Sequence, residues 1–339
     1  MADIKNWKFF ILIITTFYSL AIILAIVMDT IFYLFNFMLI GTALACGLGL
    51  WPVFSKKKKR KARMVSQFLV GGYLFFGLGC GTIYLIWGYW QPENMQLAGF
   101  WFYSLAGIFG AASMHYIIAK IIGPLLFNRG WCGWACWSAA IFDLLPWKKS
   151  PGRKPKLGIL RFVFFILISG TIFILIYGFN YSLSSIAGIV DRSSSFDFES
   201  PHLYDSIWKI PELWWFIIGN VVYYTAGIIL AYILKDNRAF CKYLCPISVF
   251  MKTTSRAALV KIKIDNEKCT QCGACERACL MDIQLISYAK DNKRILSTEC
   301  IQCMNCVAAC PVEAVNMSTG FDFGYKERLN CCDRKEENL

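Results

Sequence analysis

The sequence predicts a polytopic α-helical membrane protein with a small cysteine-rich α+β domain near its C-terminal end. Three observations predict this: long apolar runs, basic residues confined to alternate connections, and two regularly spaced cysteine runs. The chain has 339 residues, of which 57% are hydrophobic and 16% aromatic, too apolar for an ordinary soluble domain. A helical span needs about 20 apolar residues, and six stretches supply them: 8–28, 31–53, 65–90, 97–127, 158–179 and 214–234. The first run is too long for a cleaved signal peptide and leads directly into the second.

Charge sets the expected topology. Lys56 to Lys61, with Arg63, follow the second span, and a second basic group at 148–156 follows the fourth. The opposite connections are Asp29-Thr30, QPEN at 91–94 and 180–213, the last with only Arg192 and Lys209 as cations. Basic loops mark the cytoplasmic side, so both termini are expected there. The net charge of +13 follows mostly from these loops. The KKKKRK block is read as a topology anchor or a contact with the anionic bilayer surface, not as a nucleic-acid site.

After about residue 255 the apolar runs stop. Cys269, Cys272, Cys275 and Cys279 stand in CTQCGACERAC; Cys300, Cys303, Cys306 and Cys310 stand in CIQCMNCVAACP. Each follows C-x2-C-x2-C-x3-C, the bacterial ferredoxin run, whose fourth cysteine serves the other cluster. Two [4Fe–4S] centres are therefore expected, one on Cys269, Cys272, Cys275 and Cys310, its twin on Cys300, Cys303, Cys306 and Cys279. Zinc sites need paired C-x2-C knuckles on longer loops, and a cytoplasmic setting argues against disulfides. Leu280 follows the first run where the second has Pro311. The flanks ALVKIKID at 258–265 and the segment around KDNKRILS read as short strands and a turn. The expected domains are a two-span hairpin with its basic loop (1–63), a four-span repeat domain (64–257), a dicluster ferredoxin domain (258–318) and a polar tail (319–339).

One motif occurs twice. NRGWCGWAC begins at Asn128 and NRAFCKYLCP at Asn237, 109 positions on. Cys132 and Cys136 then lie at the cytoplasmic end of the fourth span, Cys241 and Cys245 at that of the sixth. Cysteines four apart on a helical turn share a face, and each pair follows a two-span hairpin. A parallel internal repeat about an axis along the membrane normal brings the pairs together as the halves of a third [4Fe–4S] site. Four thiolates also suit zinc, a single pair suits a redox dithiol, and reduced cysteines under Trp131, Trp134 and Trp137 need no cofactor. Arg129 and Arg238 either stabilise an anionic cluster or mark the membrane edge.

Several spans, two C-x3-C motifs after spans and a C-terminal two-cluster ferredoxin together resemble the membrane polyferredoxins. That family includes the NapH-type quinol dehydrogenase subunit, the C-terminal part of NosR and the CcoG/FixG proteins. The resemblance covers 65–315. It implies electron transfer at a bacterial cytoplasmic membrane, between a cytoplasmic donor or acceptor and a quinone, a membrane partner or an extracytoplasmic redox subunit. Two departures stand out: Trp137 follows Cys136 where the family usually has Pro, and the hairpin 8–53 is additional to the four-span form.

The remaining candidates are few. The chain has two histidines, His115 inside the fourth span and His202 in the outer loop, so a bis-histidine b-type haem is not expected. His115 is a candidate quinone contact, since an intramembrane ionisable residue is a functional candidate by default; a satisfied bundle histidine is the alternative. Cys46 and Cys80 read as ordinary buried thiols. Cys331 and Cys332, in RLNCCDRKEENL, are a candidate soft-metal or dithiol site. The loop 180–213, with Asp191, Asp197, Glu199 and Asp205, is a surface loop or a docking site for an outer partner. No acid, base or nucleophile constellation is visible, so catalysis is assigned to a partner. An electron-transfer subunit is the leading reading; a metal-handling or assembly factor acting through its thiols is the alternative.

Overall fold

The computed structural model describes residues 7–27, 29, 31–87, 92, 94–105, 111–147, 150–181, 207–322 and 327–330. His202, Cys331, Cys332, Asp191, Asp197, Glu199 and Asp205 lie outside the described residues. In chain order the helices are α1 (Lys8–Val27), α2 (Ile31–Leu44), α3 (Lys56–Gly72), α4 (Thr82–Trp87), α5 (Leu97–Leu105), α6 (Ala111–Tyr116), α7 (Gly123–Phe127), α8 (Gly130–Trp134), α9 (Trp137–Leu144), α10 (Leu160–Phe173), α11 (Pro211–Leu234), α12 (Ala239–Tyr243), α13 (Ile247–Ser255), α14 (Ala274–Arg277), α15 (Leu285–Lys290) and α16 (Asn305–Ala309). Strands β1 (Val260–Ile264) and β2 (Val315–Thr319) complete the order.

Among the described residues, four helical stretches are long and apolar enough to cross a membrane: Lys8–Val27, Ile31–Gly49, Pro155–Gly178 and Pro211–Leu234. In the first and third of these, only 6% and 11% of the most apolar stretch is buried. Side chains such as Ile26 and Ile166 remain 74% and 65% exposed, which suits acyl chains and not water. The chain is a membrane protein. The other two predicted spans are helical but interrupted. The helix that begins at Lys56 continues as a π-helix over Tyr73–Gly79 and ends at Cys80–Gly81, where Gly81 takes φ +71°. Its first turns, KKKKRK, precede the expected span, and the apolar helix expected over 65–90 is cut short at its C-terminal end. The stretch Ser113–Phe127 is likewise a shorter apolar helix.

The chain divides into two compact units with interleaved segments. The first comprises Met1–Ser55, Lys61–Tyr116 and Ile166–Tyr223. Within it α1 and α2 pack closely because Gly41 has no side chain: a Cβ there would lie 2.4 Å from Phe17 Cβ. The Tyr18 and Thr42 hydroxyls bond at 3.0 Å across the same pair. Cys46 is exposed and Cys80 half-buried, so the expected buried thiol does not hold for Cys46. Gly79 faces the Phe216 ring, whose Cζ would stand 2.2 Å from an added Cβ. A packed aromatic ring yields poorly, so Gly79→Ala is expected to cost about 1–3 kcal/mol, measured as a lowered Tm in detergent.

The second unit comprises Lys56–Arg60, Ile117–Phe165 and Tyr224–Leu339. It holds all twelve cysteines expected to bind clusters. Strands β1 and β2 pair antiparallel, with Ile262 opposite Met317. Ile262, Ile264, Tyr288, Ile295, Ile301 and Val315 form a shared core with Cys132, Cys275, Cys303 and Cys310. The strand expected in 258–265 is present, and 291–292 form a turn. The partner strand comes instead from 315–319, while Ile295 N donates to Ile262 O at 2.7 Å without forming a strand of its own.

Candidate iron–sulfur sites

The two ferredoxin loops repeat at an offset of 31 residues, and their backbones repeat with them. Gln271 and Gln302 have φ of 55° and 47°, Gly273 and Met304 73° and 59°, Asp282 and Glu313 54° and 53°. Left-handed residues at these places turn successive N–H groups toward one concavity, an arrangement that cradles anions. Met304 adopts without glycine what Gly273 adopts freely. Ile283 N donates to Cys279 Sγ at 3.5 Å and Ala314 N to Cys310 Sγ at 3.3 Å, again 31 positions apart. The fourth cysteines are thus set identically, and Leu280 occupies the turn that Pro311 occupies in the second loop.

The electrostatics couple Cys279, Cys300, Cys303 and Cys306, with Cys275 also acting on Cys306. Burial pushes the Cys300 thiol up to about 12, with Cys279 and Cys303 adding to the shift. Burial raises Cys306 well above its ordinary value, reinforced by Cys303, Cys279 and Cys300. Cys279 is pushed up to about 12 by burial and by Cys303. For the other set, burial raises Cys275 to about 11, with Glu276 and Cys269 among the smaller causes. Buried thiols this reluctant to ionise are ordinary for ligands whose proton is displaced by metal.

The twin C-x3-C motifs also share their local geometry. Ala135 N and Cys136 N both donate to Trp131 O; Leu244 N and Cys245 N both donate to Phe240 O, every partner shifted by 109. The expectation that each pair lies on one continuous helical turn is corrected. Cys132 lies in α8 and Cys241 in α12, but Cys136 and Cys245 stand in breaks before α9 and α13, Cys136 with ψ 121°. Pro246 disfavours a helical Cys245, yet the same break occurs before Trp137, so proline is not its cause. The four thiols still lie near enough to influence one another: Cys245 is pushed up to about 12, chiefly by burial and further by Cys241, Cys132 and Cys136. Cys241 is raised to about 11 by burial, against the pull of Arg238.

Buried cations surround these thiols. Lys120, Arg129, Arg153, Arg161 and Arg238 are all under 6% exposed. Arg238 makes a bidentate pair with Asp143 at 2.8 and 2.5 Å, and its Nη1 lies 3.8 Å from Cys241 Sγ. Glu299, beside Cys300, receives Arg129 at 2.8 Å, Arg153 at 2.9 Å, Arg161 at 3.0 Å and Lys252 at 2.6 Å. These cations outweigh the cost of burial and hold its carboxyl well below the usual range. Lys120 lies 3.7 Å above the Trp131 ring and interacts with Cys136, Cys132 and Cys245. With Lys242, six buried cations here face four buried carboxylates, Glu299, Asp143, Asp236 and Asp282. Arg129 Nε and Nη2 are buried without an acceptor among the described residues. Surplus buried charge and orphaned donors are costly, and an anionic thiolate cluster answers both. Among the described residues no three Cys, His, Asp or Glu side chains converge as ligands of one metal ion.

The repeat extends beyond its cysteines. Asp143 and Lys252 are also 109 apart. In the first half the acid pairs with the arginine of the second; in the second half a lysine stands in its place, and Glu299 joins it to Arg129. Lys120, Asp143, Lys252 and Glu299 were not among the residues predicted for the site. A lone lysine within IIAKII and the continued alignment of the two halves carried the signal. His115 lies in α6, in the first unit, half-buried.

The C-x3-C loop is seated directly on a ferredoxin loop. Trp134 Nε1 donates to Gln302 O at 2.8 Å, and a Cβ at Gly133 would lie 2.3 Å from Ile301 O and 3.3 Å from Cys303 Cα. Fold and site define an iron–sulfur protein in which a dicluster ferredoxin is joined to apolar helices bearing a further thiol set. A family model for a 4Fe-4S dicluster domain matches residues 261–311, and one for a 4Fe-4S binding domain matches 117–156 and 221–266. An uncharacterized protein of Methanocaldococcus jannaschii is 34% identical over 79 residues, covering 23% of this chain and 30% of its own. The putative electron transport protein YccM of Escherichia coli is 28% identical over 213 residues, 60% of this chain and 54% of its own. The ferredoxin-type protein NapH of Haemophilus influenzae is 25% identical over 212 residues, 60% of this chain and 67% of its own. The match therefore spans about a third and about half of the first two relatives. No solved structure matches the chain. The chain thus carries 4Fe-4S domains and is similar to ferredoxin-type and electron-transport proteins.

Proposed function

We propose that the chain is the electron-transfer subunit of a membrane redox system, with three [4Fe–4S] sites in series. Two are the ferredoxin sets, Cys269, Cys272, Cys275 and Cys310, and Cys300, Cys303, Cys306 and Cys279; the third is Cys132, Cys136, Cys241 and Cys245. The observation that carries this reading is the seating of Gly133 and Trp134 on the Ile301–Cys303 backbone. It supports direct contact between the loop that holds Cys132 and the loop that holds Cys303.

Bound clusters supply one-electron transfer, with potentials set by net charge, hydrogen bonding and burial. The protein's own residues do the rest. Twelve thiolates hold the sites; the apolar core around Ile262, Ile295 and Ile301 excludes water. Arg129, Arg238 and Lys120 offset the negative charge of the third site, and Asp143 and Glu299 fix the two arginines. Residues 258–318 are the ferredoxin domain and 64–257 the repeat domain, in a six-span chain with both termini on the cytoplasmic side of a bacterial inner membrane. The distribution of basic loops supports that orientation. A cytoplasmic donor or acceptor exchanges electrons with the ferredoxin, and a quinone near His115 or a membrane or extracytoplasmic subunit does so at the other end.

The test is iron and acid-labile sulfide per chain after anaerobic purification. About 12 irons are expected, falling to about 8 in a Cys132→Ala/Cys241→Ala variant, as three cubanes and then two require when each is held by a set of four cysteines. About 8 in both proteins would remove the third site.

A further inference from the structure

The second unit contains a cavity of about 380 Å³ that the electron path does not use. Cavities of about 300–1,000 Å³ are the size of small-molecule sites. One wall is Cys279 with its neighbour Leu280; Ala308 and Trp147 add further apolar surface. Lys235 holds Trp147 in place, its Nζ 5.3 Å from the ring. The rim is cationic: Lys56, Arg60 and Arg277 are all exposed there. Of the acids that line it, Asp143 is paired with Arg238 at 2.5 Å, and Asp236 with Lys242 at 2.6 Å, a lysine it shares with Asp282. Among the described residues no carboxylate pairs with Arg60 or Arg277, and Lys56 meets only the exposed Glu313, at 3.3 Å.

The basic block at the start of α3 thereby acquires a role that a topology anchor does not require. Cations at a helix N-terminus oppose the helix dipole, so their placement is not a device for stabilising α3. Lys56 Nζ also donates to Cys310 O at 3.3 Å, which ties the block to the fourth cysteine of the second run, as the cavity wall ties it to the fourth cysteine of the first.

We propose that this cavity binds a small aromatic redox carrier bearing a phosphate or carboxylate. The apolar wall takes the ring, the rim of Lys56, Arg60 and Arg277 takes the anion, and the carrier lies against the Cys279 ligand loop. The inference rests on the reading of the ferredoxin cysteines as cluster ligands and adds the chemical class of the soluble partner. A protein surface would meet the same cations, but a concave apolar floor is matched by a ring.

The experiment titrates full-length, cluster-loaded protein in neutral detergent with flavin mononucleotide and with riboflavin, followed by flavin fluorescence. The two share one ring system and differ in a phosphate. Flavin mononucleotide is expected to bind at least about tenfold more tightly, the scale of a charge-assisted contact. Arg60→Ser/Arg277→Ser is expected to abolish that preference, while Lys57→Ser/Lys58→Ser, outside the cavity, keeps it. Equal binding of the two flavins, or an unchanged preference in the arginine variant, overturns the site. Displacement of flavin mononucleotide by phosphatidylglycerol but not phosphatidylcholine nanodiscs overturns it in favour of a lipid headgroup. Iron and sulfide are measured on the same samples: clusters without flavin preference sink this site alone, and flavin preference without clusters sinks the electron-transfer reading alone.

Discussion

Glu299→Gln destabilises the protein by about 3–5 kcal/mol, the cost of breaking a buried ion pair by removing one partner. Glu299 is 1% exposed and is the shared acceptor of Arg129, Arg153, Arg161 and Lys252. Glutamine leaves three buried arginines without their carboxylate, and Lys252 with only Glu327 at 4.0 Å. The sign with pH follows from the depressed folded pKa. The carboxylate's contribution is fully present above its ordinary value of about 4.5 and is lost only as the pH falls below that, through the lowered folded value. Stability between pH 5 and 8 therefore does not vary on account of this group, and the loss in the glutamine variant is the same at both ends. Thermal unfolding in detergent measures it; a change below about 0.5 kcal/mol, the scale of an ordinary surface substitution, would refute the role. A second variant separates charge from shape. Lys252→Asp/Glu299→Gln restores an acid where the first half has Asp143 and is expected to recover part of the loss.

The second large effect is steric. Gly133→Val drives a side chain into Ile301 O, 2.3 Å from the added Cβ, and against Cys303 N and Cα at 3.3 Å. Backbone that carries a cluster ligand cannot retreat without moving that ligand. The expected loss is about 1–3 kcal/mol, the usual cost of overpacking, together with an altered electron paramagnetic resonance signal from the reduced ferredoxin. Gly158→Ala is the control, since nothing lies within 4 Å of a Cβ at that position. If Gly133→Val behaves like the control, the third site is not seated on the Cys303 loop.

The ferredoxin ligands were legible because spacing along the chain is itself the chemistry: C-x2-C-x2-C wraps one cluster whatever surrounds it. Strand β1 was legible from the alternation in VKIKI. Its partner at Val315–Thr319 was not, because VNMST leaves three of its five residues exposed and shows little apolar pattern. The twin C-x3-C motifs were legible as letters but not as shape. Four-residue spacing suggested a helical turn, and the chain instead breaks before the second cysteine of each pair. The charges of the site were the least legible. Arg129 and Arg238 stood in the motif, but their partners lie 170 and 95 residues away, and nothing local announces such a pair.

The unequal ends of the repeat bear on how the chain is made. A ribosome that has completed both C-x3-C halves has released Arg129, Arg153, Arg161 and Lys252 but not the residue that neutralises them, which follows 47 positions later. Those four cations therefore lack their shared acceptor until the segment that holds Glu299 is made. Translation ordered in this way makes the ferredoxin segment a clasp, and a nascent chain that stalls before residue 299 exposes its unfinished state as a cluster of uncompensated positive charge.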